Sequence, residues 1–229
     1  MRSDLMKKFR KPLFMVNPKT YVYGDDVLKL AKLTEKIANK YGLDSLFTSQ
    51  QIDIPILKKN TSNLIITAQH MDDVAPGKLG TVLPEALSYY GTDAVVLNHS
   101  EDPLTVSELD NSIKRARKLG MLSIACADSF EQCRAIAEMH PDIMICEPAD
   151  LVGSGSTSDE SYVKQAIAAV HSVDPKIAVI AAAGVDDADD VSKMLTWGAD
   201  GTGGASGIVK ASDWEEKLEE MMSAMAKFK

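Results

Sequence analysis

The amino-acid sequence predicts an α/β protein: a closed (β/α)8 barrel of eight parallel strands in a single domain. Three observations lead there. Short apolar runs alternate with helical stretches from one end of the chain to the other. The runs lack the apolar/polar alternation of a half-exposed sheet, so they read as strands buried on both faces, as parallel strands are. Eight such runs fall within 229 residues, a length at which barrels of this kind form one domain.

The candidate strands are LFMVN (13–17), DSLFTS (44–49), NLIITAQ (63–69), DAVVLN (93–98), MLSIAC (121–126), DIMICE (142–147), KIAVIAA (176–182) and DGTGG (200–204). Between them lie amphipathic stretches. Val27, Leu30, Ala31, Ile37 and Ala38 share one face of a helix that Gly42 terminates, and Gly120 and Gly198 end two others. Thr105…Glu108, Ser129…Gln132, Thr157…Glu160 and Ser212…Glu215 have the spacing of capping boxes, and each opens a helix soon after a strand. Met221, Met222 and Met225 form the inner face of the last helix. The eighth strand is poor in side chains: Gly201-Thr202-Gly203-Gly204 offers little to fill a barrel. Its small residues are read here as allowing backbone to approach a ligand.

Composition narrows the function. A formal charge of −8 and only 6% aromatic residues argue against nucleic acid or an anionic membrane as a partner. The three cysteines, Cys126, Cys133 and Cys146, are too few and scattered for a disulfide framework or a zinc site, and they suit a reducing, cytoplasmic compartment. No segment has the length and character of a signal sequence or membrane span. Residues 1–11 read as an N-terminal extension to the barrel.

In such a barrel the chemistry sits where strands end and βα loops begin. The sixth strand ends in Glu147, and Pro148 biases that residue toward extended backbone. Gly153-Ser154-Gly155 follows, the composition of a closing loop. Other strand ends supply Asn17, Pro18 and Lys19; Gln69 and His70; Asn98, His99, Ser100 and Glu101; Ala183 and Gly184; and Ala205, Ser206 and Gly207. A carboxylate, a histidine and a lysine at one mouth suit proton abstraction beside the carbonyl of a small phosphorylated sugar. The backbone amides of Gly153, Gly184, Ala205 and Ser206 would hold the phosphate.

Asn17-Pro18-Lys19, Asn98-His99-Ser100-Glu101, Glu147-Pro148 with Gly153-Ser154-Gly155, and Ala205-Ser206-Gly207 resemble the triosephosphate isomerase family, particularly its short archaeal forms, in order and spacing from about residue 13 to 215. The resemblance implies the TIM barrel and an aldose–ketose isomerase that works through an enediolate without metal or cofactor. It also implies the roles. Glu147 would be the base, His99 a neutral electrophile, Lys19 the oxyanion stabiliser and Asn17 a substrate-orienting residue. Glu101 would be a second carboxylate, loop 148–158 the lid, and the assembly a homo-oligomer, dimer or tetramer. The chain departs from the family in four places. Asp102-Pro103 stands where an arginine is usual, the third loop around Gly77–Thr81 is short, Ala181–Gly184 lacks a hydroxyl, and strand eight is glycine-rich.

These departures leave open a tetrulose-phosphate isomerase beside the triose-phosphate enzyme. A sugar-phosphate binding protein without catalysis is a further alternative, against which the intact Lys19, His99 and Glu147 argue. The remaining polar residues have plainer readings. His70 is structural, and His140 and His171 lie near helix C-termini, where a cation is favoured. Cys126 packs beside the base. The acidic run Asp186–Asp190 lacks the glycine turn and terminal glutamate of a calcium loop, and it suits a helix N-terminus.

Overall fold

The computed structural model describes residues 9–148 and 157–229. Eight parallel strands close into a barrel in chain order, the eighth pairing back onto the first. They are β1 (Leu13–Val16), β2 (Asp44–Ser49), β3 (Ile65–Ala68), β4 (Ala94–Leu97), β5 (Leu122–Ala127), β6 (Ile143–Cys146), β7 (Ala178–Ile180) and β8 (Gly201–Gly204). All eight fall within the runs expected from the sequence or extend them by one residue.

Each strand buries both faces, and the two faces feed different cores. Leu13, Met15, Leu46, Ile65, Val96, Ile124, Ile143 and Ile180 point inward and fill the barrel. The residues between them, such as Phe14, Phe47, Ile66, Leu97 and Met144, point outward and meet the helices. The period of two along a strand accounts for this division.

The helical layer comprises α1 (Gly24–Tyr41), α2 (Ile54–Asn60), α3 (Pro84–Tyr89), α4 (Val106–Leu119), α5 (Phe130–Ala137), α6 (Glu160–His171), α7 (Ala188–Thr196), the short α8 (Ser206–Val209) and α9 (Trp214–Met225). Helix α1 buries the expected stripe and ends at Gly42 with φ 62°, a left-handed cap. Gly120 caps α4 in the same way, and Met221, Met222 and Met225 are buried.

The capping boxes are corrected in part. Thr105 and Glu108 make both halves of theirs. At α5 the Ser129 hydroxyl accepts from Gln132, but the Gln132 side chain reaches Asp128 N–H instead of Ser129. Asp159, not Thr157, caps α6, and Asp213, not Ser212, caps α9. In both cases a carboxylate lies one or two residues further on, and its charge makes it the better acceptor at a helix's positive end.

Carboxylates also tie the N-terminal rim of the barrel. Asp142 accepts from the Ser123 N–H and hydroxyl, and Asp200 accepts from Val179 N–H. Residues 9–11 belong to this rim: Phe9 packs against the inner core, Arg10 binds Asp44 and Lys11 pairs with Asp200. Stability is concentrated at this end and function at the other. Among the described residues, no helix is long and apolar enough to cross a membrane.

Candidate active site

Glu147 follows Ile143 and Ile145 at the inward period of β6, so its side chain enters the C-terminal mouth of the barrel. Its N–H donates to Ala127 O at 3.0 Å, which prolongs the β5–β6 pairing to the site itself. Burial pushes its carboxyl up to about 7; the Ala182 N–H, donating to Oε1 at 3.1 Å, and the charge of Lys19 partly oppose this. A carboxylate poised near neutrality is suited to accept and return a proton.

His99 follows Asn98, whose φ of 60° turns the chain out of β4. Asparagine tolerates this left-handed conformation, and here its side chain also closes the loop. Asn98 Nδ2 donates to Cys126 O and Asn98 Oδ1 accepts from Leu104 N–H, each at 3.0 Å. Burial lowers the pKa of His99, with Lys19 adding to the effect and Glu101 and Asp102 resisting it. The Glu101 N–H donates to His99 Nδ1 at 3.1 Å. The neutral ring then carries its proton on Nε2, free to be donated to an oxygen.

Lys19 has φ 46°, a conformation rarely adopted by a side chain of this kind. Its N–H donates to Asn17 Oδ1 at 3.0 Å and its carbonyl accepts from Gln69 Nε2 at 2.8 Å. Strained backbone held from both sides is a mark of positioned groups. Lys19 Nζ lies 2.9 Å from both oxygens of Glu101, and this pairing keeps the Glu101 carboxyl below its ordinary range.

A cavity of about 140 Å³ opens between these groups and is lined by Asn17, Lys19, His99, Glu147, Ala182, Ala183, Gly184, Gly204, Ala205 and Ser206. On its far side the chain turns through Gly184, with φ 66°, and enters α8 at Ser206. The first amides of a helix have no partner within it, which leaves them to an anion. Among the described residues, no group of three or more His, Cys, Asp or Glu is placed to hold a metal ion. The acidic run is accounted for locally: Asp187 caps α7 and Asp190 pairs with Lys193.

The triosephosphate isomerase family model matches residues 12–224, essentially the whole barrel. A protein of Methanothermus fervidus named triosephosphate isomerase is 33% identical over 221 residues, spanning 94% of this chain and 99% of the relative. Those of Methanobacterium bryantii and Saccharolobus solfataricus are 33% and 31% identical, spanning 93% and 94% of this chain and 96% of each relative. The chain belongs to the triosephosphate isomerase family.

Members of this isomerase family interconvert aldose and ketose phosphates, and the residues expected from the sequence converge here. Asn17, Lys19, His99, Glu147, Ala183, Gly184, Ala205 and Ser206 share the cavity, with Glu101 reaching it through Lys19. Gly153 and most of loop 148–158 lie outside the described residues. Gln69 and Asn98 were legible as strand-end residues but not as the clamps they are, because Lys19 O lies 50 residues from Gln69 and Cys126 O lies 28 from Asn98. Cys126 is buried with its thiol pKa raised, first by burial and then by Glu147, which agrees with packing beside that carboxylate.

The glycines of β8 require a correction. Gly201 and Gly203 admit the neighbouring strand and not a ligand, whereas Gly204 lines the cavity as expected. A Cβ on Gly203 would lie 1.9 Å from Met15 O, and one on Gly201 would lie 2.4 Å from Leu13 O. This close approach to β1 removes the main reason to expect a pocket enlarged for a longer sugar.

Proposed function

We propose that this chain interconverts dihydroxyacetone phosphate and glyceraldehyde 3-phosphate through an enediolate. Glu147 removes the proton from the carbon beside the carbonyl and returns it to the neighbouring carbon. Neutral His99 donates from Nε2 to the substrate oxygens, and the Lys19 ammonium stabilises the negative charge that develops there. Asn17 orients the substrate, and Glu101 holds Lys19 at the mouth. The amides of Gly184, Ala205 and Ser206, near Ala183 and with Gly153, receive the phosphate. One observation carries this reading above others: a carboxyl raised to about 7 shares its cavity with both Lys19 and a histidine held neutral.

The triose name of the relatives supports the smaller substrate over a tetrulose phosphate. Measuring kcat/KM on triose and tetrulose phosphates side by side tests this: turnover is expected with the triose pair, and a clear preference for the tetrulose would overturn it. A cytoplasmic location accords with three free, buried cysteines. A homo-oligomer, dimer or tetramer, accords with Ile52, Leu79, Tyr89 and Val106, large apolar side chains that stand exposed on one chain.

A further inference from the structure

His70, at the end of β3, has no part in the proton transfers above, yet it stands between two carboxylates at the mouth. Its Nδ1 lies 2.7 Å from Asp102 Oδ2 and its Nε2 lies 3.2 Å from Asp72 Oδ1. The two carboxylates differ in how they are held. Asp72 is anchored: its N–H donates to Val82 O at 3.0 Å, and its Oδ2 accepts from Val82 N–H at 2.6 Å. Asp102 belongs to the turn after β4, and its side chain is 59% exposed.

That turn carries the catalytic groups. Asp102 N–H donates to His99 O at 2.8 Å, and the intervening Glu101 grips Lys19 while its N–H meets the His99 ring. Asn98 fixes the root of the turn through Leu104 N–H. Two side chains of the turn reach back to the barrel: Glu101 meets Lys19 beyond β1, and Asp102 meets His70 beyond β3.

We propose that His70 is a positioning residue. By bridging anchored Asp72 to Asp102, it fixes the 99–103 turn, so that His99 and the Glu101–Lys19 pair keep their separation across the mouth. A contact to a side chain as exposed as Asp102 adds little to folding stability, so the consequence of the bridge lies in geometry. This inference rests on the proposed roles of Lys19 and His99.

The test is steady-state kinetics on dihydroxyacetone phosphate, with urea midpoints, for His70→Asn, Asp102→Ala, their double variant and Asp102→Asn. Each of the first two is expected to lower kcat about tenfold with KM changed by less than about twofold, since small misplacements of reacting groups act chiefly on rate. The double variant should be no slower than the worse single one, and Asp102→Asn, which keeps an oxygen for His70, should recover most of the rate. Unchanged kcat in both single variants, or losses that multiply in the double variant, would overturn the proposal. Glu147→Gln run in parallel separates the two readings. If it abolishes turnover while the His70 and Asp102 variants do not affect it, only the positioning role fails; if it too retains wild-type turnover, the catalytic reading fails.

Discussion

Replacing Glu147 by glutamine should make this protein a worse catalyst and, above neutral pH, a more stable fold. The substitution keeps the shape and leaves an oxygen for the Ala182 N–H, but it removes the ionisable group. Burial raises the folded pKa of Glu147 from an ordinary 4.5 to about 7. A group shifted this way supports the fold fully below the unfolded pKa and withdraws that support as pH rises through the folded one. At 1.36 kcal/mol per pKa unit, the ionised carboxylate costs about 3 kcal/mol of stability at high pH. Urea denaturation of wild type and Glu147→Gln should therefore differ by up to about 3 kcal/mol in favour of the variant near pH 8.5, with the gap closing toward about pH 4.5. Turnover should fall by about 100- to 10,000-fold, the typical worth of a positioned base. In the wild type, kcat/KM should drop about tenfold per pH unit below about 7, as the free base is protonated. A variant no more stable than wild type near pH 8.5 would show that Glu147 ionises at its ordinary pKa, and retained turnover would remove it from the mechanism.

Gly203→Ala should be among the most damaging single substitutions. Its methyl would overlap Met15 O and force β1 away from β8, a loss expected to exceed about 4 kcal/mol and readable as a collapsed denaturation midpoint or insoluble protein. A near-native midpoint would mean the barrel seam is looser than the geometry indicates. For the oligomer, light scattering should return a multiple, twofold or fourfold, of the 24.8 kDa chain; a monomer mass would leave Ile52, Leu79, Tyr89 and Val106 exposed in solution.

Residue type and spacing made most of the barrel legible, because parallel strands buried on both faces leave continuous apolar runs and the connecting helices carry caps and amphipathic stripes. The same pattern placed Asn17, Lys19, His99 and Glu147 at one mouth, since polar residues that end apolar strands have nowhere else to go. Where it failed at helix starts, a competing local interaction won. Asp159 and Asp213 displaced Thr157 and Ser212 as caps because a nearby carboxylate is a stronger acceptor at a helix start.

By itself, then, the sequence determined the order of eight βα units, the family, and which side chains face the mouth. Only the tertiary structure decided how those side chains are tuned and held. The rise of the Glu147 pKa comes from burial in the folded chain. The grip of Gln69 on Lys19 O and of His70 on Asp102 spans 50 and 32 residues, and Gly201 and Gly203 answer to a strand at the opposite end of the chain. Each depends on distances between segments remote in sequence, which closing the barrel sets.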